Sequence, residues 1–434
     1  MKNIINRFAW RGQNNILPAV IAVVLLIMQF VNPSFLAATG DVGALYVVSF
    51  ASFISCGYLF SQSRYFFLSD GHTWGFAFWL LFFMGSFYAA YSIWSFYLLG
   101  VLGVYLLVFF LITNFSRVRH DFIETFIDVF LLFGLLAALL GLYEYFYFHI
   151  CGVTQTPLIP YLLPADNDPR ISGPYGQSNL FALFLSLTLL VSLYRYLHNF
   201  VKYRYQPSWI GLLRFVPVLV VATSFFLTRS KGGFLGLFLI LCFMLWLIVS
   251  KRYLAEDHSA RKEFFLILMS LAVAFTFSRL ALVVGIEEVV ATRSFSDTGT
   301  NPSGRFVFWT SAILIFLDHP WLGVGLDNYR FLMNGYGPVA HDLLGFVEFE
   351  AMKSTLWAHN EYLQLLAEGG IFLFGLVLFF LFFFFKKIWK YFIRPAHIDR
   401  PLFLYSHLFL VPFLIQSQFS WPLRHPALLL LFVT

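Results

Sequence analysis

The hydrophobic pattern of this chain is a series of long apolar runs, separated by short segments that carry charge, glycine or proline. A helix that crosses about 30 Å of hydrocarbon needs roughly 20 apolar residues. We therefore predict an all-α polytopic membrane protein with about 11–12 transmembrane helices. The eleven runs that meet this length are residues 16–36, 43–60, 73–91, 94–113, 124–147, 179–197, 209–227, 234–249, 264–284, 365–385 and 402–418.

The composition excludes a water-soluble fold. Apolar residues make up 60% of the 434 residues and charged residues only 12%, whereas soluble domains carry about 25% charged residues. The net charge of +6 reflects orientation in the membrane, so we predict no nucleic-acid partner. Three cysteines are too few and too scattered for a disulfide framework or a zinc site.

The positive charges predict the orientation of the chain. Lys2, Arg7 and Arg11 precede the first apolar run, which lacks a small-residue cleavage site and so indicates an uncleaved signal anchor. With the N-terminus in the cytoplasm, most of the 28 Lys and Arg residues fall on the cytoplasmic side. Two long polar segments, residues 148–178 and 285–364, then lie on the outer side.

The predicted spans and loops divide the chain into four parts. Within the large outer loop, the amphipathic stretches Phe306–Leu317 and Leu343–Trp357 are predicted to lie on the membrane surface or to cap the bundle. Pro426–Thr434 resembles the first half of a twelfth span or a re-entrant segment. The parts are the N-terminal transmembrane helices 1–150, the helices with two basic outer turns 151–284, the periplasmic loop 285–364 and the C-terminal transmembrane helices 365–434.

The first candidate motif is the outer segment Arg170–Asn179, which leads directly into a predicted span. A glycine-rich turn before a helix N-terminus offers free backbone N–H groups to an anion, and Arg170 adds a planar bidentate donor. The structural alternative is an ordinary helix-capping turn with a solvated arginine.

The second candidate motif is the tight outer turn Thr228–Gly233. Arg229 and Lys231 lie there on the side of the membrane where positive charge is disfavoured. They predict either a clamp for a diphosphate at the membrane surface or two side chains that snorkel to lipid head groups. The turn is not a Walker A sequence, so it does not indicate nucleotide binding.

The third candidate motif is Trp357–Tyr362, where the last large loop meets a span. His359 can accept a proton from a hydroxyl group, and Glu361 supplies a carboxylate beside it. The structural alternative is a helix capped by Asn360 with a histidine at the interface. No metal site is predicted, because metal-ligand spacing is absent from the other outer histidines. These are His319, His341 and His425.

Together these motifs resemble the superfamily of O-antigen ligases, O-antigen polymerases and bacterial protein O-oligosaccharyltransferases. The resemblance covers about residues 165–425, and Arg305 followed by Trp309 looks like the loop helix of that superfamily. The segment Arg170–Asn179 is most similar to the protein O-oligosaccharyltransferases, and Ser417–Pro426 resembles the polar segment near their last spans. The ordered motifs that carry the resemblance are Arg170–Gly173, Arg229–Gly233, His319–Gly325 and His359–Tyr362.

The resemblance implies a multi-span, GT-C-like glycosyltransferase in the bacterial inner membrane. Such an enzyme moves a glycan from undecaprenyl diphosphate to an acceptor hydroxyl on the periplasmic face, and it uses no cofactor beyond this lipid-linked donor. Arg170 and Arg229 are expected to hold the diphosphate, and His359 is expected to activate the acceptor. Further substrate contacts are expected at Lys231, Gln177, Asn179, Asn360, Glu361 and Arg305.

The acceptor and the class of protein stay open at this stage. Protein O-glycosylation of a pilin-like acceptor is the first expectation, with ligation to lipid A core and O-antigen polymerisation as alternatives. A lipid or solute transporter would place its charges at the bilayer midplane, whereas these motifs place them at one boundary. A scaffold or receptor embedded in membrane lipids would tolerate alanine at His359.

Overall fold

The computed structural model describes residues 67–68, 70–118, 121–147, 170–202, 215–249, 268–280, 302–345, 356–393, 410–420 and 422. These ranges contain helices and no strand, which confirms an all-α polytopic membrane protein. The helices are α1 Asp70–Ser86, α2 Ser92–Val118, α3 Asp121–Tyr145, α4 Ser178–Lys202, α5 Phe215–Leu227, α6 Lys231–Val249, α7 Leu268–Leu280, α8 Pro302–Asp318, α9 Tyr329–Leu344, α10 Glu361–Ile393 and α11 Leu410–Gln416.

Three helices in the described part of the chain are long and apolar enough to cross a membrane. They lie in α2, α3 and α10, and α4 to α7 contain shorter apolar helices. Each predicted run from residue 73 onward overlaps one of the helices, so the predicted element type is confirmed there. The runs 16–36 and 43–60 and the segment Pro426–Thr434 lie outside the described residues.

The core of the bundle lies around α4, which packs against α3, α5, α6 and α11. Leu180 to Leu190 are buried without interruption along α4. Gly141 on α3 permits the close approach, because a Cβ atom there would lie 2.7 Å from both the Phe181 ring and the Ser224 hydroxyl. Residues 180–190 of α4 are therefore surrounded by protein and not by lipid.

Two helices lie in residues 302–345 of the predicted outer loop. Phe306–Leu317 lies in α8, whereas most of the second predicted stretch, Leu343–Trp357, lies outside the described residues. Helix α9 ends at Leu344. Gly345 follows with φ +63°, and its N–H donates to the Asp342 carbonyl. A left-handed glycine is a common helix terminator, which explains why the helix stops there.

Helix α10 breaks at Gly370, whose φ of +63° and ψ of −167° are not helical. The break exposes backbone groups that bind the loop after α8. Val324 N–H donates to the Ala367 carbonyl at 3.0 Å, and Ile371 N–H donates to the Pro320 carbonyl at 2.8 Å. The break thus holds the His319–Gly325 segment against α10, which gives this part of the motif a structural role.

Candidate functional site

The two basic turns are joined by hydrogen bonds at one end of the bundle. Ser230 Oγ, in the second motif, donates to Asn179 Oδ1 of the first at 2.8 Å. The same hydroxyl accepts the Gly233 N–H at 3.2 Å and so caps the start of α6. Ser230 is fully buried, so this contact is protected from solvent. The turn that carries Arg229 is therefore fixed against the start of α4.

The segment after α11 connects these turns to the third motif. Gln416 Nε2 donates to the Asn179 carbonyl at 3.1 Å, and the Ser417 carbonyl accepts the Glu361 N–H at 2.7 Å. Gly232 lies against Gln416 so closely that an added Cβ would be 2.5 Å from its side-chain oxygen. All three motifs consequently meet around one short segment.

Two residues that were expected to contact substrate also join the motifs. Gln177 Oε1 accepts a hydrogen bond from Ser420 Oγ at 3.2 Å. Asn179 is buried, and both of its oxygens accept hydrogen bonds from other motifs. Substrate contact by Gln177 and Asn179 stays a prediction.

The first turn binds an anion, but the anion is one of the protein's own carboxylates. Ser172 N–H donates to Glu144 Oε1 at 3.0 Å, and Gly173 N–H donates to Oε2 at 2.7 Å. Ser172 Oγ adds a third donor at 3.1 Å. The prediction that this turn offers free N–H groups is therefore wrong for these two residues. The reason is Glu144 at the end of α3, whose partner could not be known from the sequence.

Three predicted cations lie close enough to other site groups to act on them electrostatically. They are Arg170, Arg229 and Arg305. Burial lowers the pKa of the Arg305 guanidinium, and repulsion from Arg170 lowers it further. Arg305 in turn acts on His359, and Arg229 acts on Tyr145 at the end of α3. Helix α8 therefore places Arg305 near the turn that contains Arg170.

The two cations of the second turn, Arg229 and Lys231, differ in how deeply they are buried. Arg229 is half-buried and has a left-handed backbone, with φ +50°. Lys231 begins α6 and is exposed. Left-handed conformations are uncommon for residues other than glycine, and they concentrate at functional sites.

His359 has the features of a neutral proton acceptor. Its backbone is also left-handed, with φ +52°, and its ring stacks on Phe308 at a centroid distance of 6.0 Å. Burial lowers the pKa of the imidazole to about 4, with a further contribution from Arg305. Nδ1 is buried without a hydrogen-bond partner. The ring is therefore uncharged at neutral pH.

Asn360 caps α10, so the structural alternative predicted for it is confirmed. Its Oδ1 accepts the N–H groups of Tyr362 and Leu363, each at 3.1 Å. Glu361, the next residue, is buried and binds Ser417 through its backbone. Substrate contact by Asn360 and Glu361 stays a prediction.

A buried polar pair on α10 fixes the turn that carries His359, and sequence reasoning missed it. Ala358 N–H donates to Gln364 Oε1 at 3.0 Å, and Gln364 Nε2 donates to Glu368 Oε1 at 2.9 Å. Glu368 also accepts the Asp327 N–H at 2.9 Å. The available signal was two polar residues four positions apart in an apolar span.

Within the described ranges, no three His, Cys, Asp or Glu side chains form a group that could hold a metal ion. The chemistry open to the site is that of arginine cations, a neutral imidazole and helix-end hydrogen bonds. Such a set can stabilise an anion and accept a proton from a neighbouring hydroxyl group.

Part of the chain is similar to a known sequence family. Residues 216–380 match the family model described as O-antigen ligase. The matched region runs from α5 into α10 and contains Arg229, Arg305 and His359, while Arg170 lies before it. No curated protein matches the chain. The family match indicates glycan transfer of the ligase or polymerase type, from a lipid-linked donor to an acceptor, and it confirms the resemblance of the chain to the O-antigen ligase superfamily.

Proposed function

We propose that the chain transfers a glycan from undecaprenyl diphosphate to an acceptor hydroxyl on the periplasmic face of the bacterial inner membrane, with the N-terminus in the cytoplasm. The observation that carries this proposal is that the turns of the three motifs meet around Gln416 and Ser417. Arg305 is close enough to act electrostatically on both Arg170 and His359. Cations for a leaving anion and a base for an attacking hydroxyl are the two functions that the reaction needs.

The cations serve the leaving group. When the acceptor oxygen attacks the anomeric carbon, the bond to the diphosphate breaks and negative charge builds on the departing oxygen. Arg170 and Arg305 repel each other, and a diphosphate between them would relieve this repulsion. Arg229 and Lys231 extend the positive region on the neighbouring turn. Fixed cations in a poorly hydrated site stabilise developing charge without reorganising.

His359 serves the acceptor. Its neutral ring takes the hydroxyl proton as the new glycosidic bond forms. A bound diphosphate would offset the Arg305 charge that helps to lower the pKa of the imidazole, so donor binding would make His359 a stronger base. The base is therefore expected to be strongest when the donor is present. The lipid diphosphate is itself the good leaving group, so the proposed reaction uses no cofactor.

We further propose that the acceptor is a protein, with a pilin-like protein as the expected partner. The support is the similarity of Arg170–Asn179 to the protein O-oligosaccharyltransferases. Ligation to lipid A core and polymerisation of O-antigen are the alternatives within the same chemistry. A transporter is less well supported, because the motif cations lie in turns where helices begin or end and not midway along a span.

The test is transfer by the purified protein in lipid nanodiscs with an undecaprenyl-diphosphate-linked glycan. A pilin-like protein, lipid A core and a second lipid-linked glycan are offered separately, and mass spectrometry shows which one gains the glycan. We expect the pilin-like protein to gain mass with the wild-type chain and not with His359→Ala. Glu124→Gln, an exposed change at the far end of α3, is the matched control. Failure of all three acceptors to gain mass would contradict the proposal.

A further inference from the structure

The end of α3 carries a buried carboxylate to which the proposed reaction gives no role. Glu144 is 5% exposed. It binds the first basic turn at Ser172, which follows Arg170 by two residues. Burying a carboxylate costs free energy unless hydrogen-bond donors surround it. The presence of Glu144 beside a site of arginine cations therefore requires an explanation.

Every hydrogen bond that joins Glu144 to this turn has the carboxylate as acceptor. Oε1 receives the Ser172 N–H at 3.0 Å and the Ser172 hydroxyl at 3.1 Å. Oε2 receives the Gly173 N–H at 2.7 Å and a second, longer contact from the Ser172 N–H at 3.2 Å. Both oxygens are therefore engaged by protein donors, so Glu144 does not act as the base.

The opposite side of the turn is packed against the core. Gly173 has φ +52°, and a Cβ atom there would lie 2.6 Å from the Phe181 ring. Tyr175 is buried and stacks on Phe181 with a centroid distance of 6.1 Å. The turn is thus held between aromatic side chains of the core and the Glu144 carboxylate. Of these two restraints, only the carboxylate is directional.

The same helix end also reaches the second basic turn. Tyr145, the last residue of α3, lies close enough to Arg229 to interact with it electrostatically. One end of this helix therefore binds the turn that follows Arg170 and also lies near Arg229. A helix end in this position can fix the separation of the two cations.

We propose that Glu144 is a positioning residue that holds Arg170 where it binds the diphosphate of the lipid donor. This inference rests on the proposed function. Glu144 acts through Arg170: its hydrogen bonds orient the backbone of the turn, and that backbone orients the guanidinium. A misplacement of about 1 Å in a binding group can lower a rate about 10²-fold.

The experiment is a double-mutant cycle on glycan transfer with the full chain in nanodiscs. The variants are Glu144→Ala, Arg170→Ala and the combination of both, and the measured quantity is kcat/KM for the lipid donor. We expect Glu144→Ala to lose about 10²-fold and the combined variant to be no worse than Arg170→Ala alone. The KM for the acceptor is expected to stay unchanged, which a general structural defect would not predict.

Two further variants separate positioning from stability. Glu144→Gln keeps the size and one acceptor oxygen but opposes an N–H donor with its own amide, so we expect a smaller loss than with alanine. Glu124→Gln on the same helix is the control and should leave transfer unchanged. Its side chain is 53% exposed, and Arg195, with which it pairs at 3.7 Å, keeps the closer carboxylate of Asp128 at 2.6 Å.

Each outcome bears on the proposal. Wild-type activity in Glu144→Ala, or losses that multiply in the combined variant, would overturn it. Failure of Glu144→Gln to fold would assign Glu144 to stability and would overturn it as well. Absence of transfer by the wild-type chain, or full activity of Arg170→Ala, would instead contradict the proposed function.

Discussion

The aromatic surface of α1 and α2 and the site formed by the three motifs follow opposite rules of burial. Phe76 on α1, Phe87 in the turn after it and Ile93 on α2 are 59%, 63% and 84% exposed. In the site, Glu144 and Glu368 are 5% and 1% exposed. A water-soluble protein would show the reverse arrangement. The difference shows that hydrocarbon is the solvent for the first region and that protein groups replace water in the second.

The two regions also differ in how strictly each position requires one particular side chain. The exposed rings of α1 and α2 contact each other mainly through stacked and edge-to-face pairs, which many apolar side chains could replace. In the site, several buried polar groups are paired at hydrogen-bond distance, such as Asn179 with Ser230. Because a lost partner inside the bundle cannot be replaced by water, substitutions there are expected to cost far more.

The largest effects are expected for alanine at His359 or Arg229. His359→Ala removes the proposed base, which is worth about 10²- to 10⁴-fold in transfer rate. Arg229→Ala removes one charge-stabilising group, which is worth about 10²- to 10³-fold. Both variants should still insert and fold, as checked by size-exclusion chromatography in detergent. Arg279→Ala at the end of α7 is a matched control, and near-normal transfer by both site variants would rule out the assignment.

The next largest effect is expected for Gly370→Ala. The backbone conformation of Gly370, with φ +63° and ψ −167°, is essentially restricted to glycine and costs another residue about 1–3 kcal/mol. The new Cβ would also clash with the Trp321 carbonyl. We expect a clear decrease in thermal stability measured by tryptophan fluorescence in nanodiscs. Gly375→Ala in the same helix is the control, because no heavy atom lies within 4 Å of its added Cβ. Equal melting temperatures for the two variants would show that the break in α10 is not required.

A smaller and directional effect is expected in the pH profile of transfer. The pKa of His359 is lowered to about 4, so the ring stays neutral at pH 7 and protonates only as the pH falls through about 4. Removing the Arg305 charge raises that pKa, so Arg305→Ala should shift the acid limb of kcat/KM to higher pH. Arg305→Lys keeps the charge and should keep the limb in place. An acid limb that does not move in Arg305→Ala would show that His359 is not the titrating base.

The smallest effect is expected on the lipid-facing surface. Phe87→Leu exchanges one exposed apolar side chain for another, so transfer and melting temperature should stay close to those of the wild type. Phe181→Leu on buried α4 is the comparison, because this ring contacts Gly141, Gly173 and Tyr175. A loss of stability in Phe87→Leu as large as in Phe181→Leu would indicate that the Phe87 ring packs against protein and not lipid.

Much of the architecture and the residue types of the site could be predicted from the sequence. From residue 73 onward, the predicted runs coincide with helices, and the motif residues lie in turns where helices begin or end. The element that escaped prediction is α9, which contains Pro338 together with Gly335 and Gly337. These residues usually interrupt helices, and here tertiary contacts override that preference.

The sequence by itself determined that the protein lies in a membrane and which chemical groups its motifs carry. It could do so because apolar run length and residue type are properties of the local chain. Only the tertiary structure decided which distant groups meet. Glu144 binds the Ser172 turn, Gln416 binds Asn179, and the break at Gly370 binds the loop after α8. Local sequence does not encode these partners, because each pairing depends on how helices far apart in the chain pack against one another.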